Sequence, residues 1–239
     1  MNKAIGAVTV APMRKEPSEK VEMVNQILFG ESCDILEEQK YWTKIKLHYD
    51  GYEGWVDAKQ LKHVSEDYIE SRKINLITEN FSSVMMKDGI TLLSMGSEVD
   101  FPAVASRRSH NLRESITLTA KEFLNIPYLW AGKSFFGVDC SGIVQLTFKI
   151  HGIKLPRDSS QQGEIGHALT FVEESQPGDL AFFQNSEGKI VHVGIMLENQ
   201  KIIHASGKVR IDSLDNVGIY NEQLKTHTHQ LRFIRNVID

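Results

Sequence analysis

The sequence predicts an α+β protein in two parts, a small all-β barrel followed by a domain that combines helices with a sheet. Three observations predict this organisation. The first hundred residues contain short alternating stretches separated by turn residues, the pattern changes to helical spacing near residue 106, and strand patterns return in the last third. Many short strands with close turns are typical of a barrel, and helices followed by antiparallel strands are typical of an α+β domain.

Composition and charge are those of an ordinary globular protein. The chain has 239 residues, of which 41% are hydrophobic, and a formal net charge of −4. This length suffices for one large domain or two small ones. The charge balance predicts neither a nucleic acid nor a membrane surface as partner. No apolar run approaches the roughly 18–20 residues that span a bilayer, and no pattern predicts an oligomeric state.

The N-terminal stretch MNKAIGAVTVAP (1–12) has two interpretations. A lysine followed by a short apolar segment resembles an export signal, but the segment is short and lacks a convincing cleavage site. The alternation from Ile5 to Val10 suits a first β-strand instead. We therefore expect a cytoplasmic protein, with export as the alternative.

Strand patterns continue through the first part. In SCDILEEQKYWTKIKL (32–47), apolar and polar residues alternate as they do in a half-buried strand. Asp88-Gly89 is a typical hairpin turn. The stretch 72–104 either completes the barrel or forms a degenerate second copy of it.

The second part begins with two predicted helices. NLRESITLTAKEFLNI (111–126) has apolar residues at helical spacing behind Asn111, a suitable N-cap. A second helix is expected over 140–150, closed by Gly152. Four strands should follow, with the sequences DLAFFQ, IVHVGIML, KIIHAS and LRFIRNV.

A cysteine stands at the predicted start of the second helix, in FFGVDCSGIVQLTF (135–148). Asp139 is an N-cap type residue, so Cys140 falls in the first helical turn. Unpaired N–H groups and the positive end of the helix dipole stabilise a thiolate there. We therefore expect an anionic, nucleophilic sulfur at Cys140, whereas Cys33, in a strand-like stretch, is expected to be a small packing residue.

Two histidines are predicted to meet on one hairpin. A turn at 198–200 pairs residues whose numbers sum to about 398, so His192 and His204 become diagonal neighbours on the same face. Gly194 leaves room between their rings. Such a pair suits a general base and the group that orients it.

A metal site made of Cys140, His192 and His204 is the alternative interpretation. The sequence contains no CxxC or HxxxH element that would support it. Two more histidines occur in THTHQ (226–230), for which an exposed strand edge is preferred over a metal site. We expect neither a metal nor a cofactor.

Residues 112–235 resemble the catalytic domain of the NlpC-type cysteine peptidases, which are bacterial papain-like endopeptidases that cut peptidoglycan peptides. The resemblance is carried by PYLWAGKSFFGVDCSG (127–142), LPRDSSQQ (155–162), QPGDLAFF (176–183), HVGIML (192–197) and IHASG (203–207). The first part resembles a bacterial SH3-like domain in EMVNQILFGE (22–31), YWTKIKL (41–47) and GYEGWV (51–56). The implied domains are 1–106, SH3-like, and 107–239, peptidase.

The resemblance implies a role for each matching residue. Cys140 would be the nucleophile, His192 the general base and His204 the residue that orients it. Tyr128 would help to stabilise the oxyanion, and Trp130 would form a wall of the cleft or simply pack in the core.

One departure from the family pattern stands beside Trp130. The family usually has Trp-Gly-Gly where this chain has Trp130-Ala131-Gly132. The extra methyl should be tolerated if the backbone there is not at positive φ.

The combination of the two domains resembles the γ-D-glutamyl-L-diamino acid endopeptidases. These act on murein peptides with a free N-terminal L-alanine and cut between γ-D-glutamate and the diamino acid, either diaminopimelate or lysine. The resemblance implies substrate binding by Asp139, Ser141 and Ser159. Arg157 would bind a substrate carboxylate or form a structural salt bridge. From the SH3-like domain, the candidates for an ammonium pocket are Glu53 and Tyr68.

The expected function is therefore hydrolysis of a small murein peptide through a Cys140 thioester. Two alternatives remain open at this stage. One is acyl transfer by the same nucleophile to an acceptor other than water, and the other is a non-catalytic module that binds wall peptides.

Overall fold

The computed structural model describes residues 2–87, 89–102 and 111–238, which belong to two compact units. The first unit comprises Met1–Ser106 together with Leu129–Gly137, and the second comprises Arg107–Tyr128 together with Val138–Asp239. The predicted domain boundary at 106/107 and the first residue of the predicted Asp88-Gly89 turn lie outside the described residues. Within those residues, no helix has both the length and the apolar character that crossing a lipid bilayer requires.

The first unit is built on a seven-stranded antiparallel sheet with the strand order β3-β2-β6-β5-β4-β1-β7. Its strands are β1 (Lys3–Gly6), β2 (Val10–Arg14), β3 (Met23–Leu28), β4 (Ser32–Glu38), β5 (Trp42–Leu47), β6 (Glu53–Asp57) and β7 (Leu61–Val64). The alternation predicted for 32–47 is confirmed, since Ile45 and Leu47 are buried in the core of this sheet. Cys33 is also fully buried there as a free thiol, so it is a core residue.

The residues after β7 form separate, smaller β-structures. A short helix, α1 (Glu66–Ser71), precedes β8 (Asn75–Leu76), β9 (Phe81–Met86), β10 (Gly89–Ser94) and β11 (Glu98–Val99). β9 pairs with β10 and β8 with β11, around a small core of Ile77, Leu93 and Val99. The seven-stranded sheet is thus complete by Val64, before this stretch begins.

The segment Leu129–Gly137 belongs to the first unit, although the residues on both sides of it belong to the second. It contains β12 (Lys133–Ser134) and the start of β13 (Gly137–Val138). The ammonium of Lys133 lies 3.1 and 3.0 Å from the two carboxylate oxygens of Glu31, and both side chains are almost completely buried. The N–H of Lys133 also donates to Oε1 of Gln26 at 2.7 Å. These contacts attach the segment Leu129–Gly137 to the rest of the first unit.

The second unit combines helices with a second seven-stranded sheet. Its helices are α2 (Leu112–Glu122), α3 (Cys140–Ile150) and α4 (Ser159–Gln162). Its strands are β14 (His167–Leu169), β15 (Leu180–Gln184), β16 (Ile190–Met196), β17 (Lys201–Ser206), β18 (Lys208–Leu214), β19 (Gly218–Asn221) and β20 (Thr226–Asn236). The order is β14-β20-β15-β16-β17-β18-β19, and β19 also pairs with β20. Helix α3 is buried along its whole length and packs against β16 and β17. The predicted α+β class is confirmed.

The helix ends follow the predicted local signals. Oδ1 of Asn111 accepts hydrogen bonds from the N–H groups of Arg113 and Glu114, so Asn111 is the N-cap of α2. Gly152, with φ of 80°, follows the end of α3 in the left-handed region that glycine favours. Neither β18 nor β19 is among the predicted strands, although the alternation of polar and apolar residues in KVRIDSL continues from Lys208 to Asp212 and breaks only at Ser213-Leu214.

A first prediction concerns the buried ion pair of the first unit. Glu31→Gln should lower the free energy of unfolding by about 3–5 kcal/mol, since it leaves the Lys133 ammonium buried without an opposite charge. Adding Lys133→Met should recover most of the loss, because no charge then remains buried. Urea denaturation of the full chain measures both. Glu53→Gln, which breaks the exposed pair of Glu53 with Lys44, is the control and should cost under about 1 kcal/mol. Equal losses for Glu31→Gln and Glu53→Gln would contradict this account.

Candidate active site

The cysteine occupies the first position of α3. Asp139 is the N-cap, and its Oδ1 accepts a hydrogen bond from the N–H of Gly142 at 2.6 Å. The backbone of Ser141, in the same helix, and that of Val193, in β16, favour the Cys140 thiolate, and α3 packs against β16. The helix start thus places the sulfur against the strand that carries His192.

A buried arginine fixes this helix start. Nη1 and Nη2 of Arg157 donate to the two carboxylate oxygens of Asp139 at 3.0 and 2.7 Å, and Nη1 also donates to Oγ of Ser141 at 2.8 Å. Arg157 is only 2% exposed. The guanidinium therefore braces both neighbours of Cys140 through a bidentate ion pair. The substrate-binding roles of Asp139, Ser141 and Arg157 stay predictions.

Ser159 lies two residues beyond Arg157 and is half-buried as the first residue of α4. The same short helix presents Gln162, whose Nε2 donates to the backbone carbonyl of Ser141 at 3.1 Å. Helix α4 is thereby attached to the start of α3. The role of Ser159 toward the substrate stays a prediction.

The expectation of an anionic sulfur is wrong. Burial, reinforced by the negative charge of Asp139, raises the pKa of the Cys140 thiol to about 12. The backbone at Val193 and Ser141 and the charge of Arg157 act in the opposite direction but do not overcome burial. Desolvation therefore outweighs the helix start, and the thiol is neutral near pH 7.

The two predicted histidines meet. Nε2 of His192 lies 2.9 Å from Nδ1 of His204, and both rings are buried. The predicted hairpin register is confirmed, since Ile195 pairs with Ile203 and Met196 with Ile202. Glycine at position 194 is required sterically, as expected, because a Cβ there would lie 3.0 Å from the Cβ of His204 and closer still to Ile202.

An aspartate extends this pair into a chain of hydrogen bonds. Oδ2 of Asp212, in β18, lies 3.0 Å from Nε2 of His204. Burial alone would raise the pKa of Asp212, but its interactions with His204 and Arg210 outweigh burial and lower it. Asp212 is therefore a carboxylate, which can only accept hydrogen bonds.

This carboxylate determines which nitrogen of His192 is the base. Since Asp212 only accepts, Nε2 of a neutral His204 carries the hydrogen and its Nδ1 accepts from Nε2 of His192. Burial holds the pKa of His192 well below its usual range, and a proton on His204 or His229 would lower it further. His192 is thus neutral, and its Nδ1 has a free lone pair that can take the thiol proton.

Tyr128 adds a neutral donor to the same unit. It lines a cavity of about 310 Å³ together with His192, Ser206, Gly207 and His229. Burial raises the pKa of Tyr128 to about 12, and the nearby Cys140 and Asp139 contribute. The phenol therefore keeps its proton over the working pH range, as the predicted oxyanion role requires.

Three other predicted residues lie in the first unit. The indole N–H of Trp130 donates to Oε1 of Glu22 at 3.0 Å, and Trp130 is 61% exposed. Glu53 is exposed on β6 and pairs with Lys44 at 3.2 Å. The hydroxyl of Tyr68, on α1, donates to Oδ2 of Asp100 at 3.4 Å. Their roles toward the substrate stay predictions.

The extra methyl of Ala131 is expected to be tolerated only if the backbone there is not at positive φ, and this condition is not met. Its φ is 59°, in the left-handed region, where a side chain other than glycine costs roughly 1–2 kcal/mol. The adjacent Gly132 is required sterically, since a Cβ there would lie 2.6 Å from the carbonyl oxygen of Gly137. The chain therefore tolerates strain at Ala131 within a segment that the Lys133–Glu31 pair secures.

Sequence reasoning missed two residues of the site, Asp212 and His229. A signal for Asp212 existed: a turn at Gly207 places His204 opposite residue 210, so Asp212 lies two residues further along the same strand, as observed. For His229 the interpretation as part of an exposed strand edge is wrong, since it lines the cavity. His227 does fit that interpretation, being exposed and paired with Asp215. No metal-binding cluster occurs among the residues that the structure describes.

A neutral thiol at a helix start, a histidine with a free nitrogen on the adjacent sheet and a protonated phenol define a cysteine peptidase. Comparison with known proteins agrees. The NlpC/P60 family model matches residues 125–228, and the model of the bacterial dipeptidyl-peptidase Sh3 domain matches residues 13–61. The probable endopeptidase NlpC of Escherichia coli (strain K12) is 40% identical over 116 residues, which cover 44% of this chain and 75% of that protein. The chain belongs to the NlpC/P60 family.

Longer relatives share both domains. The γ-D-glutamyl-L-lysine dipeptidyl-peptidase of Bacillus cereus (strain ATCC 10987) is 28% identical over 84% of this chain and 73% of its own length. Dipeptidyl-peptidase 6 of Lysinibacillus sphaericus is 26% identical over 93% of this chain and 96% of its own. A crystal structure of an NlpC/P60 family protein from Bacillus cereus ATCC 10987 has a TM-score of 0.83 and 21% identity, and covers 99% of this chain and 100% of that one. This last likeness shows the fold.

A second prediction follows from the protonated thiol. The alkylation rate of Cys140 by iodoacetamide should rise about tenfold per pH unit between pH 7 and 9, since a thiol of high pKa gains thiolate in that proportion. Peptide mapping by mass spectrometry after timed labelling measures this rate separately from that of Cys33. A rate that is already constant from pH 6 to 9 would show a preformed thiolate and contradict the prediction.

Proposed function

We propose that the chain hydrolyses the bond between γ-D-glutamate and the diamino acid in murein peptides that have a free N-terminal L-alanine. The observation that carries the proposal is the hydrogen bond of His192 Nε2 to His204, which leaves Nδ1 as the base, on β16, the strand against which the cysteine helix packs. The similarity to dipeptidyl-peptidases over most of the chain supports this choice of bond. Diaminopimelate and lysine both fit the proposal as the diamino acid.

The first chemical step is proton transfer coupled to attack. As Sγ of Cys140 forms a bond to the γ-D-glutamyl carbonyl carbon, its proton passes to Nδ1 of His192. The carbonyl π electrons move to the oxygen, which accepts a hydrogen bond from the Tyr128 hydroxyl. Since the thiol and imidazole start neutral, the charges appear only as the bond forms.

Collapse of the intermediate releases the diamino acid. The C–N bond breaks, and the proton on His192 moves to the leaving nitrogen, which departs as a neutral amine and leaves a thioester on Cys140. Water then attacks the thioester and loses a proton to Nδ1 of His192, after which the thiol leaves with that proton. The products are L-Ala-D-Glu and the diamino acid or the peptide that begins with it.

The chain from His192 through His204 to Asp212 stabilises the transient imidazolium. When His192 gains a proton, its Nε2–H bond to His204 becomes charge-assisted and therefore stronger. His204 in turn donates to a carboxylate in a buried environment. The positive charge that develops on His192 is thus met by a fixed negative charge one ring away.

The requirement for a free amine rests on the cost of unpaired buried charges. An ammonium bound in a pocket needs a carboxylate, and an N-acylated substrate would leave that carboxylate unpaired. Strong rejection of blocked peptides is therefore expected. Peptides still attached to glycan carry no free L-alanine amine, so we propose that the enzyme recycles released peptides, in the cytoplasm.

A third prediction tests the function. The wild-type chain should release the diamino acid from L-Ala-γ-D-Glu-diamino acid, and the N-acetylated peptide should be cleaved at least about 100-fold more slowly. Mass spectrometry of the products measures both rates, and Cys140→Ala should fold normally and be inactive. Equal rates on the two peptides would remove the free-amine claim and leave the peptidase claim standing.

The same assay separates the two alternatives. Products that carry an added amine would indicate acyl transfer, and binding of the peptide without any product would indicate a non-catalytic module.

Glu53→Gln and Tyr68→Phe should raise KM for the free peptide, and should leave the slow rate on the acetylated one unchanged, if these residues recognise the ammonium.

A fourth prediction concerns Asp212. Asp212→Asn should lower kcat by about 10–100-fold, because an amide can donate to His204 and no longer fixes the tautomers of the two rings. The matched control is Asp215→Asn, since Asp215 also pairs with a histidine, His227, at 2.8 Å on the exposed surface. Steady-state kinetics should show an unchanged kcat for the control. An Asp212→Asn variant with wild-type kcat would contradict the assignment.

A further inference from the structure

One side chain of the cavity has no part in the steps described above. The ring of His229, in β20, lies almost parallel to that of His192, with a centroid distance of 4.2 Å and an interplanar angle of 26°. Its Nδ1 is 2.9 Å from Oγ1 of Thr228. His229 is half-buried and faces the same cavity as Tyr128.

The side-chain rings of three residues on other strands of the sheet lie against His192. Phe183 lies opposite His192 in β15, with centroids 5.7 Å apart, and His204 meets it edge-on at 5.1 Å and 86°. Among the residues that the structure describes, His229 is the one ring stacked parallel on His192; its own contacts to His204 and Phe183 are edge contacts at 80° and 67°. The orientation of the base is therefore defined by one hydrogen bond, two tilted or edge contacts and one stacked face.

We propose that His229 is a positioning residue that acts through His192: its stacked ring holds the imidazole plane in the orientation that keeps Nδ1 available to Cys140, and stabilises the imidazolium formed during attack. The proposal rests on the proposed function. A hydrogen bond from Nε2 to His204 leaves rotation about that bond possible, and a parallel ring removes this freedom. A neutral aromatic face also attracts a cation placed over it.

The charges around His229 are consistent with a neutral stacking partner. The titratable groups that face it are His192 on β16, His204 on β17 and Asp212 on β18. Burial and then His204 lower the pKa of His229 to about 4, and Asp212 opposes this shift. At neutral pH, His229 therefore presents an uncharged face to His192, which is the state that stabilises an imidazolium.

The test compares two replacements of similar size. His229→Phe keeps an aromatic face and should retain kcat within about threefold, whereas His229→Leu keeps apolar volume without a ring and should lower kcat about 10–100-fold with little change in KM. The control is His227→Leu on the same strand, which should leave kcat unchanged. Wild-type kcat in His229→Leu, or equal losses in the Leu and Phe variants, would overturn the proposal.

A measurement without substrate keeps the proposal separate from the proposed function. Nitrogen-15 NMR of the imidazoles in the full chain should show sharp His192 signals in the wild type and in His229→Phe, and exchange-broadened His192 signals in His229→Leu, because the unstacked ring can turn about its hydrogen bond to His204. Equally sharp His192 signals in His229→Leu would contradict the positioning role, whether or not the murein peptide is cleaved. Absence of cleavage by the wild type would instead contradict the proposed function alone.

Discussion

The hydrogen bond between Nε2 of His192 and Nδ1 of His204 is the interaction on which the site depends. It has a direction only because Asp212 accepts from the other nitrogen of His204. That direction leaves one nitrogen of His192 free, and a base with its lone pair in the wrong place could not deprotonate Cys140. The hairpin supplies the two rings, but a third strand supplies the charge that orders their protons.

Burial is the second constraint, and it changes how the nucleophile should be understood. A helix start favours a thiolate, yet the desolvation of Cys140 raises its pKa to about 12, while the pKa of His192 is lowered. Both partners are therefore neutral before substrate binds. An ion pair would have to be formed during attack, where Tyr128 and the chain to Asp212 can stabilise the charges as they appear.

The guanidinium of Arg157 stabilises the protein around Cys140 through buried hydrogen bonds. Arg157 could have been assigned to a substrate carboxylate from sequence alone, but its two terminal nitrogens bond Asp139 and Ser141 inside the protein. The segment Leu129–Gly137 belongs to the first unit, where Lys133 pairs with Glu31. Each unit thus contains a buried ion pair, Arg157–Asp139 at the helix start in the second unit and Lys133–Glu31 in the first.

The parts of the site that depend on short-range rules could be predicted from the sequence. Capping predicts Cys140 at a helix start, and the register of a tight hairpin predicts that His192 and His204 meet, because both follow from a few neighbouring residues. The protonation of the sulfur, the contribution of Asp212 and the stack of His229 could not be predicted in this way. They depend on burial and on strands that meet through the closed sheet, and neither desolvation nor long-range pairing is encoded in a local pattern.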